Sequence, residues 1–264
     1  MAFQGKATPL DRSALNDVIT PLGIEEAALW SIIEVETSGV GFMASKQPVI
    51  LFERHKFSKK TAGKWDATNP DISNPVWGGY GPAGQHQYDR LAQAIRLNEN
   101  AALESASWGL GQVMGENWSS LGYASVAAFV AEMCESEGRQ LHAMSLFISH
   151  KGLTPNLKQK DWAKFALGYN GSDYAKNSYD TKLDQHYQKL AAGPLPDLRI
   201  RTAQLALTYL SNERPRLDPH GVDGWLGRMS QSALQEFQKG VPLAPNGVLD
   251  DATYSALLTA AGLK

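Results

Sequence analysis

The chain has 264 residues, 43% of them hydrophobic, with 27 acidic against 25 basic side chains and a formal net charge of −2. That is enough apolar material for one large domain or two unequal ones, and it argues against global disorder. The near-neutral balance offers no basic patch for nucleic acid or an acidic membrane surface, and the single cysteine, Cys134, excludes an intramolecular disulfide, which fits folding in a reducing cytoplasm.

The first residues lack a basic segment followed by an apolar run, so no signal peptide is expected, and no stretch is long and apolar enough for stable membrane insertion. Thr8-Pro9-Leu10-Asp11 has the composition of a helix start, with Thr8 as cap and Pro9 in the first helical position, opening a helix over 9–18. The second helix, 24–37, places Ile24, Ala27, Ala28, Ile32 and Val35 on one face and stops at Ser38-Gly39. Glu36 stands at its end; Glu34, two residues earlier, points to another side. Residues 47–57 read as a buried strand carrying Glu53 and His55 on the same face. His55 either tunes Glu53 or is a surface or packing histidine, the commoner case. The Gly-, Pro- and Asn-rich stretch 64–82 reads as ordered loops with at most short strand pieces. Further helical periods cover 86–97, 125–134, 137–150, 158–168 and 173–191. Cys134 falls on the second of these helical stretches, 125–134, where a buried small hydrophobe is the plain reading.

A carboxylate at a helix end and another on a strand seventeen residues later suits glycosidic bond cleavage. One carboxylic acid protonates the leaving oxygen, and a second carboxylate activates water or stabilises the oxocarbenium-like centre. An acid held among Trp30, Ile33 and Phe52 is expected to have a raised pKa, ready to donate a proton near neutral pH. Of the aromatic side chains in the loop-rich half, Tyr80 and Trp108, each beside glycine, are expected to line a groove and stack on sugar faces. Neither His-Glu-x-x-His nor another metal spacing occurs, so neither a metal nor a cofactor is expected.

Three blocks then occur in order: Glu36-Thr-Ser-Gly-Val-Gly-Phe42, Pro48-Val-Ile-Leu-Phe-Glu-Arg-His55 and Ser107-Trp-Gly-Leu-Gly-Gln-Val-Met114. Together with Tyr169-Asn170-Gly171 they resemble the N-acetylmuramidase domain of bacteriophage and prophage endolysins, over about residues 8–192. The resemblance implies an α+β, mostly helical, lysozyme-like catalytic domain. It implies Glu36 as catalytic acid, Glu53 as second carboxylate, and Gln112, Tyr169 and Asn170 in the glycan cleft. Gly111 departs from the pattern, since a large apolar residue is common there. Tyr169-Asn170-Gly171 is also an ordinary helix stop.

Gly193-Pro-Leu-Pro-Asp197 is a domain boundary by composition. Beyond it lies a weak repeat. Asp223-Gly-Trp-Leu with Ser232-Ala-Leu234 returns as Asn246-Gly-Val-Leu with Ser255-Ala-Leu257, each piece 23 residues on. Residues 197–264, with seven basic and seven acidic side chains, resemble the three-helix peptidoglycan-binding domain of cell-wall hydrolases. Asn246 replaces the usual Asp of the second turn.

The whole resembles a modular endolysin that cuts the β-1,4 bond between N-acetylmuramic acid and N-acetylglucosamine. Its partner would be peptidoglycan, with no nucleic acid. It would be a monomer, made in the host cytoplasm and reaching the wall through a holin-like pore. Alternatives are a lytic transglycosylase on the same bond or a non-catalytic wall-binding structural protein. An amidase or peptidase lacks support, since there is no zinc motif and only one cysteine. Each half is expected to fold alone, so that residues 1–192 still release muropeptides and the segment from 196 binds walls.

Overall fold

The computed structural model describes residues 3–264, apart from the side chain of Asp173. Helix α1 is Arg12–Leu22, and its cap is Asp11, whose carboxylate accepts the N–H of Ala14 at 2.8 Å. Thr8, expected to cap, instead bridges to Ser136: its N–H bonds Glu135 O at 3.0 Å and its carbonyl accepts Glu137 N–H at 2.9 Å. Helix α2, Glu26–Thr37, is buried from Ala27 through Ile33, so it is wrapped on all sides rather than amphipathic. It stops where the sequence indicates. Ser38 turns left-handed, and the N–H groups of Ser38 and Gly39 bond the carbonyls of Glu34 and Ile33.

Strand β1 is only Ile50–Phe52, and helix α3, Arg54–Lys60, follows at once. The 47–57 strand expectation is therefore too long. Arg and Lys are good helix formers, and Lys59 and Lys60 in the last turn favour the helix dipole. β1 pairs antiparallel with β2, Ala106–Trp108, and β2 with β3, Val113–Met114; Phe52 faces Ala106 and Trp108 faces Val113. Around this sheet lie α4 (Gln85–Leu97), α5 (Glu99–Glu104), α6 (Val126–Glu135), α7 (Glu137–His150), α8 (Thr154–Gln159), α9 (Trp162–Asn170) and α10 (Tyr179–Ala192). The core runs from Leu10 to Leu190 and holds Trp30, Phe52, Phe57, Trp108, Phe129 and Phe165. The fold is α+β and mostly helical.

Helices α11 (Leu198–Ser211), α12 (Arg228–Lys239) and α13 (Asp251–Ala260) enclose a second core around Leu207, Leu234, Phe237 and Leu257. The repeat has a structural basis. The Gln204 amide donates to Asp223 Oδ1, Trp225 O and Ser230 Oγ, and accepts Gly224 N–H at 2.8 Å. Gln238 donates to Asn246 Oδ1, Val248 O and Thr253 Oγ1, and accepts Gly247 N–H at 2.8 Å. Asn246 supplies the same acceptor oxygen that Asp223 does, so the departure leaves the turn unchanged. Gly224 and Gly247 have φ of 78° and 71°, the left-handed region that favours glycine.

Candidate functional site

A groove of about 1010 Å³ opens between the sheet, the loop ahead of α4 and the ends of α2 and α9. Glu36, Glu53, Tyr80, Gln112, Tyr169 and Asn170 all line it. Strand alternation decides who faces it. In β1, Ile50 and Phe52 point into the core, while Leu51 and then Glu53 turn to the groove. In β2, Ser107 faces the groove, which sends Trp108 the other way. Trp108 is fully buried, its indole donates to Leu103 O at 3.2 Å, and its ring lies 5.6 Å from that of Phe3. Trp108 is thus a core residue, and its expected place in the groove is corrected.

Glu36 is the penultimate residue of α2. Its Oε1 accepts the hydroxyl of Tyr179, the first residue of α10. Burial pushes the Glu36 carboxyl up to about 7, against the lowering pull of that hydrogen bond. Tyr179 and Tyr169 are held as neutral phenols, chiefly by burial and also by the nearby Glu36 charge. Glu34 points elsewhere and pairs with His186 of α10.

Glu53 stands between β1 and α3. Burial pushes its carboxyl up, the Lys56 ammonium lowers it, and the Glu116 carboxylate raises it. His55 reaches Glu53 Oε2 through Nε2 at 3.2 Å. The contact runs across the first turn of α3, not along a strand. Burial, with Lys56 and Arg54, holds His55 below the usual histidine value. His55 Nδ1 is buried without a partner among the described residues. A neutral ring resting beside the Glu53 carboxylate fits the lowered value.

The Tyr80 loop is ordered from beneath. Gln87 accepts Phe52 N–H at 3.0 Å and donates to Tyr80 O and Pro82 O, both at 2.7 Å. Arg90 donates to Phe52 O, Tyr80 O and Asp71 O at 3.1, 2.9 and 2.7 Å. These two α4 side chains tie the end of β1, next to Glu53, to the loop on the groove rim. Trp77, 52% exposed, meets Tyr80 edge to face at 5.5 Å and adds an aromatic wall that sequence reasoning left out of the groove.

Gln112 lines the groove, but its amide is occupied. It accepts Ser107 Oγ–H at 2.7 Å and donates to Gly109 O and Val49 O. It shapes the wall by bracing the β2–β3 turn. Tyr169 donates to Gly111 O at 2.6 Å. The departure at Gly111 is explained by close approach, since a Cβ there would stand 2.7 Å from Met144 Cβ. Asn170, exposed, ends α9 at the groove edge. Sequence reasoning also missed Tyr179, which no local spacing links to a residue 143 positions earlier. Cys134 is buried, and its thiol is pushed up to about 12, as suits a small hydrophobe. Among the described residues, no group of three or more His, Cys, Asp and Glu side chains could hold a metal ion, and no helix is long and apolar enough to cross a membrane.

Residues 25–191 match the N-acetylmuramidase family, and residues 197–257 match the putative peptidoglycan binding domain family. No curated protein matches the chain. Among solved structures, the endolysin of Burkholderia phage AP3 is 40% identical, with a TM-score of 0.62 over 68% of this chain and 69% of that one. The chain therefore belongs to the N-acetylmuramidase family and carries a peptidoglycan-binding domain behind the catalytic one, the organisation of a modular endolysin that hydrolyses peptidoglycan.

Proposed function

We propose that the chain is a lysozyme-type muramidase that cuts the β-1,4 bond between N-acetylmuramic acid and N-acetylglucosamine, with Glu36 as general acid and Glu53 as second carboxylate. The observation that carries this is a carboxyl raised to about 7 in the same groove as a second carboxylate. Tyr179 occupies Oε1 of Glu36, which leaves the acid proton to Oε2. That proton passes to the glycosidic oxygen as the bond breaks. Glu53, with His55 Nε2 beside it at 3.2 Å, activates the incoming water or faces the positive charge that develops at the sugar carbon. Tyr80, with Trp77 beside it, offers aromatic faces for sugar rings, and Asn170 offers an amide at the rim.

Residues 8–192 form the catalytic unit and 197–264 the wall anchor in this reading. The enzyme is a monomer that meets the wall after a holin-like pore opens the membrane. Transglycosylation needs only one catalytic acid, and Glu53 in the groove favours hydrolysis over it. Mass spectrometry of released muropeptides tests the assignment. Reducing N-acetylmuramic acid ends are expected; anhydro ends would make it a transglycosylase, and no release by a folded wild-type chain would sink the enzyme reading.

A further inference from the structure

The two units meet through a charged contact closed to solvent. Arg201, in α11, is 1% exposed, and Glu137, at the start of α7, is 0% exposed. The guanidinium grips both carboxylate oxygens, Nη2 to Oε1 at 2.8 Å and Nη1 to Oε2. The same Nη2 donates to the carbonyl of Gly39. Glu137 also accepts the backbone N–H of Gly41 at 3.1 Å and of Leu10 at 2.9 Å. Around this knot Ala7, Phe42, Leu205, Tyr209 and Val222 form an apolar cluster drawn from both units. Tyr209 donates to Ala7 O at 2.7 Å.

Gly39 and Gly41 lie three and five residues beyond Glu36, in the turn that leaves α2. Arg201 takes the carbonyl of the first, and Glu137 the N–H of the second. The planar fork is what makes both contacts at once. A lysine could answer the Glu137 charge, but not with two in-plane donors and a third bond to Gly39. Arg201 Nε is buried without a partner among the described residues, a cost a lysine would avoid. If charge were all that mattered here, arginine would be the poorer choice.

We propose that Arg201, a residue of the C-terminal module, is a positioning residue for Glu36: by holding Gly39 directly and Gly41 through Glu137, it fixes the turn that ends α2. The module completes the groove as well as anchoring it. This rests on the reading of Glu36 as the acid.

The test uses the full chain and soluble glycan fragments cut from purified peptidoglycan, a substrate that needs no anchoring. Wild type, Arg201→Lys and Tyr209→Phe are compared. Arg201→Lys is expected to lower kcat about tenfold with KM within about twofold, since a small displacement of a catalytic group costs rate steeply. Tyr209→Phe removes a bond of the same interface away from the turn, and is expected to lose thermal stability with kcat unchanged. Wild-type kcat in folded Arg201→Lys overturns the proposal. Equal kcat losses in both variants overturn it too, because the interface would then be merely structural. Should Arg201→Lys not fold, the paired exchange Arg201→Met with Glu137→Leu fills the space without charge, and the same kcat criterion applies. A wild-type chain inactive on fragments and walls alike would sink the glycosidase reading itself, a failure visible before any variant is made.

Discussion

At Glu36 two effects oppose each other: burial raises the carboxyl, and the Tyr179 hydroxyl lowers it. Tyr179→Phe removes the lowering effect, so the alkaline limb of the pH–rate profile should move to higher pH. Turnover should fall about tenfold as the carboxyl loses its orienting bond. An unmoved alkaline limb would disconnect Tyr179 from the acid. Glu36 also leaves a mark on stability. Its folded-state pKa, about 7, lies above the usual 4.5, so the native state holds the proton more tightly. The stabilisation is full below pH 4.5 and is lost as pH rises through about 7. Glu36→Gln stays neutral throughout. It should therefore abolish wall lysis and, at pH 8, unfold at higher temperature than wild type by the equivalent of about 2 kcal/mol, with no gain at pH 4. Equal melting temperatures at pH 8 would refute the buried-acid picture. Glu53→Gln should lower turnover by roughly two orders of magnitude, and Glu34→Gln, tied to His186 on another side of α2, far less. The two glutamates were legible because a helix stop and an apolar run flank them. Trp108 was misread because a glycine neighbour says nothing about which face of a three-residue strand a side chain takes.

Helix α3 and the short strands show what element-level patterns leave hidden. Strands of two or three residues have no period to detect, and Arg54–Lys60 follows an apolar run without a break. The turns of the C-terminal module were legible, since Asp-Gly and Asn-Gly dictate local geometry. The glutamines that hold them were not, because Gln204 and Gln238 look like surface helix residues until the fold brings them to the turns. Gln238→Ala strips the second turn of its three bonds to the amide nitrogen and leaves Gly247 N–H without its acceptor. It should destabilise the module by roughly 1–3 kcal/mol, measured by denaturant unfolding of the full chain. A loss below a few tenths of that would mean water replaces the amide without penalty.

At the scale of the whole molecule, sequence composition marked Gly193–Asp197 as a place to cut, and the packing argues against a clean separation. Residues 1–192 alone would keep Glu137 without Arg201 and would bare Ala7 and Phe42. That fragment should be less stable than the full chain and slower on soluble fragments as well as on walls, contrary to the expectation from composition. Retained full-length activity on soluble fragments would restore the bead-on-a-string picture. The segment from 196 keeps its own core and both glutamine-held turns, so it should fold, cosediment with walls and cut nothing.

The Glu137–Arg201 contact also orders events in time. Its partners lie 64 residues apart, with the carboxylate emerging first. At ribosomal speeds of ~5–20 residues per second, Glu137 waits roughly 3–13 s for its cation. Late in that interval, once Asn177 has been added, the nascent chain contains every groove residue, yet the turn behind Glu36 is unpinned. A chain broken off by early termination would release a catalytic half lacking its brace. Full competence thus arrives only once translation has passed the first helix of the wall anchor, so the enzyme is finished from its far end.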